Sequence, residues 1–196
     1  MMNNLYSTNM MNIMNPFYQF NMPRRLMGIE RLRKEFKLCK EDKDLISIGC
    51  SFDFYNNDIF KWKVTIFGPK HTPYEDGIFT LKILFPENYP NNGPEFRFTN
   101  KIYHLNVNNH SGHIDLTHLN EWNATGTVNG KPVYGVKQAL FDIFCYFILQ
   151  STCSAYDMEM SNLYRDNREK FNEIAKKWTE EYAKSNIDSI FFKMFY

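Results

Sequence analysis

Charge is missing from the first 22 residues of this 196-residue chain: no Asp, Glu, Lys or Arg precedes Arg24. The stretch is crowded instead with Met, Asn, Phe and Tyr, and it follows neither a helical nor a strand period, so residues 1–22 read as a tail. It has no acid but is also poor in Arg, which makes a weak organelle presequence, and it lacks the charged-then-apolar order of a secretory signal. No apolar run anywhere approaches the roughly 20 residues that span a bilayer, so no direct membrane span is expected. Net charge is nearly missing too. The 23 Lys and Arg against 22 Asp and Glu leave +1, which excludes the basic footprint of a nucleic-acid binder. Cysteine is scarce: Cys39, Cys50, Cys145 and Cys153 lie far apart with no CxxC pair. That is the pattern of reduced thiols packed as small apolar groups, not of a disulfide framework or a zinc knuckle. The expected setting is reducing and cytoplasmic, with a mitochondrial location as the alternative left by the acid-free start.

What is present fits one domain, residues 23–185, between the charge-free tail and an apolar, aromatic tail at 186–196. Leu26, Ile29, Leu32, Phe36 and Cys39 recur at spacings of three and four and predict a helix over 23–39. Apolar alternation then predicts strands over 45–54, 60–67, 78–85 and 95–99, and the short Asn-, Asp-, Gly- and Pro-rich links between them imply an antiparallel meander. Residues 100–133 are polar and aperiodic, longer than an ordinary connection, with Asn129-Gly130 as a tight hairpin signal. Val136 to Gln150 is apolar on most sides and predicts a helix packed deep against the sheet, which would bury Cys145 as an inert thiol. Two further helices are expected over 159–176 and 177–184. The class is α+β, with helices segregated from the sheet.

Several strings sharpen this. Trp62 with Ile66-Phe67-Gly68-Pro69, then Pro73-Tyr74-Glu75-Asp76-Gly77-Ile78-Phe79, then Phe85-Pro86-Glu87-Asn88-Tyr89-Pro90 resemble the ubiquitin-conjugating enzyme family. Tyr103-His104-Leu105-Asn106 resembles its His-Pro-Asn signature with the proline replaced, and Tyr164, Arg168-Glu169-Lys170-Phe171, Ala175, Trp178 and Tyr182 resemble its last two helices. The similarity runs in order over about residues 24–184. It implies the conjugating-enzyme fold: an N-terminal helix, a four-stranded meander, a long loop and three C-terminal helices.

In that family the segment after the signature reads Gly-x-Ile-Cys-Leu, and its cysteine carries ubiquitin as a thioester. Here the matching string is Gly112-His113-Ile114-Asp115-Leu116. A thiolate is a strong nucleophile and its thioester a good acyl donor, whereas a carboxylate is neither, so the degenerate site of His104, Asn106 and Asp115 predicts a pseudoenzyme. Asn106 has two readings, an oxyanion donor or a tie for loop backbone, and without a nucleophile the second is preferred. Cys153 is the one candidate for a substitute nucleophile. His110, His113, Asp115 and His118 are a cluster of potential zinc ligands, but their spacing matches no familiar zinc motif and no cysteine joins them, so no metal and no cofactor is expected.

Where ligases grip the family, apolar residues are replaced by Asn91-Asn92 and by Asn123-Ala124-Thr125. The expected role is therefore a structural subunit of a larger protein assembly, with assistance to an active conjugating enzyme or contact with ubiquitin as the alternative. The partner contacts are expected from Tyr6, Phe17, Tyr18 and Phe20 in the first tail and from Phe191, Phe192, Phe195 and Tyr196 in the second, whose exposure would leave sizeable apolar patches.

Overall fold

A computed structural model describes residues 24–114, 127–128, 131–132, 135–153 and 155–184. The two expected tails with their aromatic contact residues lie outside these, as do Asp115, His118 and Asn123 to Thr125. The chain opens with α1 (Arg24–Glu41), whose Leu32 and Cys39 are buried and whose Phe36 ring meets Trp62 and Phe52 edge-on and stacks on Phe54. A short helix α2 (Lys43–Ser47) follows, where a strand was expected to begin. Asp42 caps it by accepting from the Asp44 and Leu45 amides, and Gly49, at φ +81°, turns the chain out of it. Leu45 is thereby buried from a helix, and the strand starts only at Ser51.

Four strands make an antiparallel sheet in sequence order: β1 (Ser51–Phe54), β2 (Lys61–Phe67), β3 (Ile78–Leu84) and β4 (Glu95–Phe98). Alternate residues face inward, so Phe52, Trp62, Val64, Ile66, Phe79, Leu81, Ile83, Phe96 and Phe98 line the core, as the period-2 pattern requires. Gly68 is needed where β2 ends: a Cβ there would sit 1.7 Å from the Tyr74 carbonyl oxygen. The Asn-Gly hairpin signal falls between β5 (Thr127–Val128) and β6 (Lys131–Pro132), which pair antiparallel.

Helix α3 (Val136–Ile148) covers the inner face of the sheet with Val136, Ala139, Leu140, Ile143 and Phe147, and the Phe147 ring touches Tyr74, Phe79 and Phe98. Its opposite face is open. Cys145 is exposed, Ile148 is 48% exposed, and Leu149 just beyond the helix is 73% exposed. The expectation of a helix buried on most sides with Cys145 inside it is corrected: one stripe meets the sheet and α1, and no described layer covers the other.

Two helices close the domain, α4 (Met158–Asp166) and α5 (Arg168–Tyr182). They divide at Asn167, not between Lys176 and Lys177. Asp157 Oδ1 accepts from the Glu159 and Met160 amides at 2.8 and 3.0 Å, and Asn167 Oδ1 accepts from Lys170 at 3.0 Å, so each helix has its own N-cap. The end of α5 is tied to the sheet, because the Ile78 amide donates to Ala183 at 2.8 Å and Asn100 Nδ2 to the Tyr182 carbonyl at 3.0 Å. The exposed Lys177 therefore sits mid-helix. Lys177→Gly is expected to cost about 1 kcal/mol in urea unfolding, whereas a helix boundary at that point would make it nearly silent.

Candidate functional site

The segment from Tyr103 to Ile114 forms neither helix nor strand, yet His104, Leu105, Asn106 and Val107 are all buried. Buried backbone without a ladder must find other partners. It finds them on the end of α3 and the loop beyond. His104 Nε2 donates to the Tyr146 carbonyl at 2.9 Å, and its Nδ1 accepts from the Asn106 amide at 3.1 Å, an arrangement that fixes a neutral ring. The Leu105 amide donates to Gln150 Oε1 at 3.1 Å, while Gln150 Nε2 reaches the Tyr74 hydroxyl at 2.9 Å and that hydroxyl donates to the Tyr103 carbonyl at 2.8 Å. Asn106 Nδ2 donates to the Ser151 carbonyl and its Oδ1 accepts from the Ser151 amide, each at 2.9 Å. The Tyr156 amide bonds the Leu105 carbonyl at 3.0 Å.

His104 and Asn106 are thus brought together, and both ends of the Asn106 amide hold loop backbone. Burial pushes the His104 imidazole down to about 4 from the ordinary 6.5, so it is uncharged near neutrality, and its one N–H is engaged by the Tyr146 carbonyl. Gln150, Ser151, Tyr146 and Tyr156 were not singled out from the sequence. Gln150 and Ser151 come from 45 residues away, and no local pattern announces them.

The following loop is just as constrained. Asn108 Oδ1 accepts from the His110 and Ser111 amides, the Gly112 amide donates to Asn108, and the Phe98 amide donates to Gly112. Gly112 has φ +70°, and a Cβ there would lie 1.9 Å from the Phe98 carbonyl oxygen, so only glycine fits. Ile114 is buried and bridges Val107. Asp115, the next residue, lies outside the described part.

Of the four potential zinc ligands, His110 is exposed, and His113 Nδ1 lies 2.7 Å from the Tyr156 hydroxyl; Asp115 and His118 are not described. Among the described residues no group of three His, Cys, Asp or Glu is arranged to hold a metal ion. A cavity of about 150 Å³ opens between His104, Asn108, His110, Tyr156, Asp157 and Met160. Cys39 and Cys50 are buried and their thiols are pushed up to about 12 by burial, which keeps them protonated. Cys153 is exposed.

The profile of the ubiquitin-conjugating enzyme family matches residues 31–179. The chain belongs to that family. Among solved structures, a candidate ubiquitin conjugating enzyme of Plasmodium yoelii is 30% identical, with a TM-score of 0.69 over 81% of this chain and 96% of its own. The E2 domain of a Toxoplasma gondii ubiquitin conjugating enzyme is 34% identical, with a TM-score of 0.66 over 79% of this chain and 98% of its own. The expected conjugating-enzyme fold is therefore the observed one. The turn at Tyr89-Pro90 is held to α1 by the Tyr89 hydroxyl, which donates to Glu35 Oε1 at 2.8 Å; Arg31 Nε meets the same oxygen at 2.6 Å. Asn91 and Asn92 beyond that turn are exposed and polar. Among the described residues no helix is long and apolar enough to cross a membrane.

Because the native ring resists protonation and the unfolded one does not, the unfolded chain binds an extra proton between about pH 4 and 6.5. His104 therefore contributes stability that is present above pH 6.5 and is lost as pH falls toward 4, by roughly 3 kcal/mol in full. Urea titrations at about pH 7 and about pH 4.5 should show His104→Gln with a shallower pH dependence than the parent, whatever its stability at neutrality. An unchanged slope would mean that the ring titrates normally.

Proposed function

We propose that this chain is a conjugating-enzyme domain without thioester chemistry that serves as a structural, protein-binding subunit of a larger assembly. Asp115 carries the reading. Gly112 and Ile114 hold the glycine and isoleucine positions of the family's Gly-x-Ile-Cys-Leu string, and the strained fit of Gly112 against Phe98 supports that register. The next residue then occupies the cysteine position, and it is an aspartate. An Asp carboxylate attacking a thioester would give a mixed anhydride, which hydrolyses more readily than it is passed on.

The signature residues are used for packing. Leu105 is fully buried where the family has proline, and Asn106 is tied to Ser151. Protein contact is supported by exposed Leu38, Ile46, Leu149 and Met158, whereas polar Asn91 and Asn92, where ligases find an apolar anchor in the family, speak against ordinary ligase binding. The tails, with Tyr6, Phe17, Tyr18, Phe20, Phe191, Phe192, Phe195 and Tyr196, supply further apolar surface, and other subunits of a complex are their partners in this reading.

A second reading rests on the open face of α3, where Cys145, Tyr146 and Leu149 border a groove of about 200 Å³. There the chain would hold ubiquitin or an active conjugating enzyme during transfer. The two are separated by adding the full chain to a reaction of active conjugating enzyme, ligase and ubiquitin. The subunit reading predicts no binding to either protein and no change in chain formation; tight binding with stimulation would establish the second. In the same assay Asp115→Cys alone is expected not to restore ligase-dependent transfer. Removing residues 1–22 is expected to leave a folded domain that no longer co-purifies with its native complex, and normal assembly of the truncated chain would remove the tail from the account.

A further inference from the structure

The outer face of the sheet carries a row of side chains set opposite one another: Asp53 faces Lys63, Lys63 faces Lys82, and Lys82 faces Arg97. Three cations thus stand on adjacent strands roughly 4.8 Å apart. Like charges directly opposite destabilise a sheet, and the acids on this face, Asp53 and Glu95, offset only the two ends of the row. Beside the row, between β4 and the 108–112 loop, lies a cleft of about 280 Å³ lined by Lys82, Arg97, Lys101, His110, Asn100 and Ser111. No carboxylate is among its described lining residues.

Lys82 Nζ rests over the Tyr55 ring at 5.4 Å and Lys101 Nζ over the Tyr182 ring at 5.1 Å; neither meets an acid among the described residues. Lys63 likewise has no described carboxylate at ion-pair distance, and Arg97 is shared with Glu95. Ring faces hold an exposed ammonium weakly, so these cations are pre-positioned and cheaply released to a stronger anion.

We propose that this cleft and row form a docking surface for an acidic segment of a partner polypeptide. Three or four cations over a short groove suit a run of Asp and Glu. A nucleic-acid strand would call for a continuous basic track and exposed rings for stacking, whereas Asp53 ends the row and Phe98 at the cleft floor is buried. The flanking outer-face positions are Thr65 and Thr80 on one side and Lys61, Leu84 and Glu95 on the other, and Glu95, the one acid on that flank, is engaged by Arg97. The surface is independent of whether the chain ever carries ubiquitin, so its failure and the failure of the pseudoenzyme reading are separate results.

The test is fluorescence anisotropy of the full chain with a labelled peptide carrying a run of glutamates and with its glutamine counterpart. The glutamate peptide is expected to bind saturably, to weaken steeply between about 50 and about 300 mM salt, and to lose about tenfold in affinity in Lys82→Gln/Lys101→Gln. Lys34→Gln/Lys37→Gln on α1 should leave binding unchanged. Absence of saturable binding, equal binding of the glutamine peptide, an equal loss in the α1 variant, or tighter binding of a thymidine oligonucleotide of the same charge would overturn the proposal. Unfolding midpoints of both double variants should lie close to the parent, since Lys34, Lys37 and Lys101 are exposed and Lys82 is half-buried on the outer face of the sheet.

Discussion

The hydrogen bonds that join Tyr103–Asn106 to Tyr146, Gln150 and Ser151 decide how the rest of the molecule is arranged. They let an irregular segment run through the interior, where each unmade bond would cost about 1–3 kcal/mol. A proline at position 105 would bring no N–H; leucine brings one, and Gln150 answers it at 3.1 Å. The same glutamine holds the fully buried Tyr74, so the turn after β2, the signature segment and the end of α3 are locked as one unit. Once that unit is set, Gly112 has one place to go against Phe98, and Ile114 is buried beside Val107.

This lock also bears on what the site can do. His104 is neutral and enclosed, and Asn106 is engaged at both ends of its amide, so each polar group is bound to backbone in a way that needs no substrate. A fold whose signature residues are satisfied internally loses nothing in stability when its nucleophile is replaced. In the proposed reading, function falls to the outside: the open face of α3, the exposed apolar residues of α1 and α2, and the cationic row of the sheet. A domain kept for contact with other proteins is expected to vary at its catalytic position and hold its core, and the buried Trp62, Tyr74, Phe79 and Phe147 are that core.

The sheet was legible because its inner residues alternate over a full strand in β2 and β3, and the family strings fall on the turns that end them. The first strand was read too long because Leu45, Ile46 and Ile48 resemble a strand run; the signal for a helix was Asp42, whose capping role shows only once Asp44 and Leu45 turn back on it. The helix break at Asn167 was missed because the apolar positions of α4 and α5 run on across it. Cys145 was misplaced because α3 is rich in apolar residues all round, and composition does not say which stripe a sheet will cover. At the site, His104 and Asn106 were visible through their motif. Gln150 and Ser151 were not, since their meaning lies in contacts across 45 residues.

The central claim, that this fold no longer carries ubiquitin, is tested most directly by intact-mass measurement after incubation with activating enzyme, ATP and ubiquitin. The account predicts the unmodified mass of the full chain, with and without reductant. A ubiquitin adduct that a thiol reductant removes, and that vanishes in Cys153→Ser or in Cys145→Ser, would contradict it by showing that an exposed cysteine has taken over the reaction.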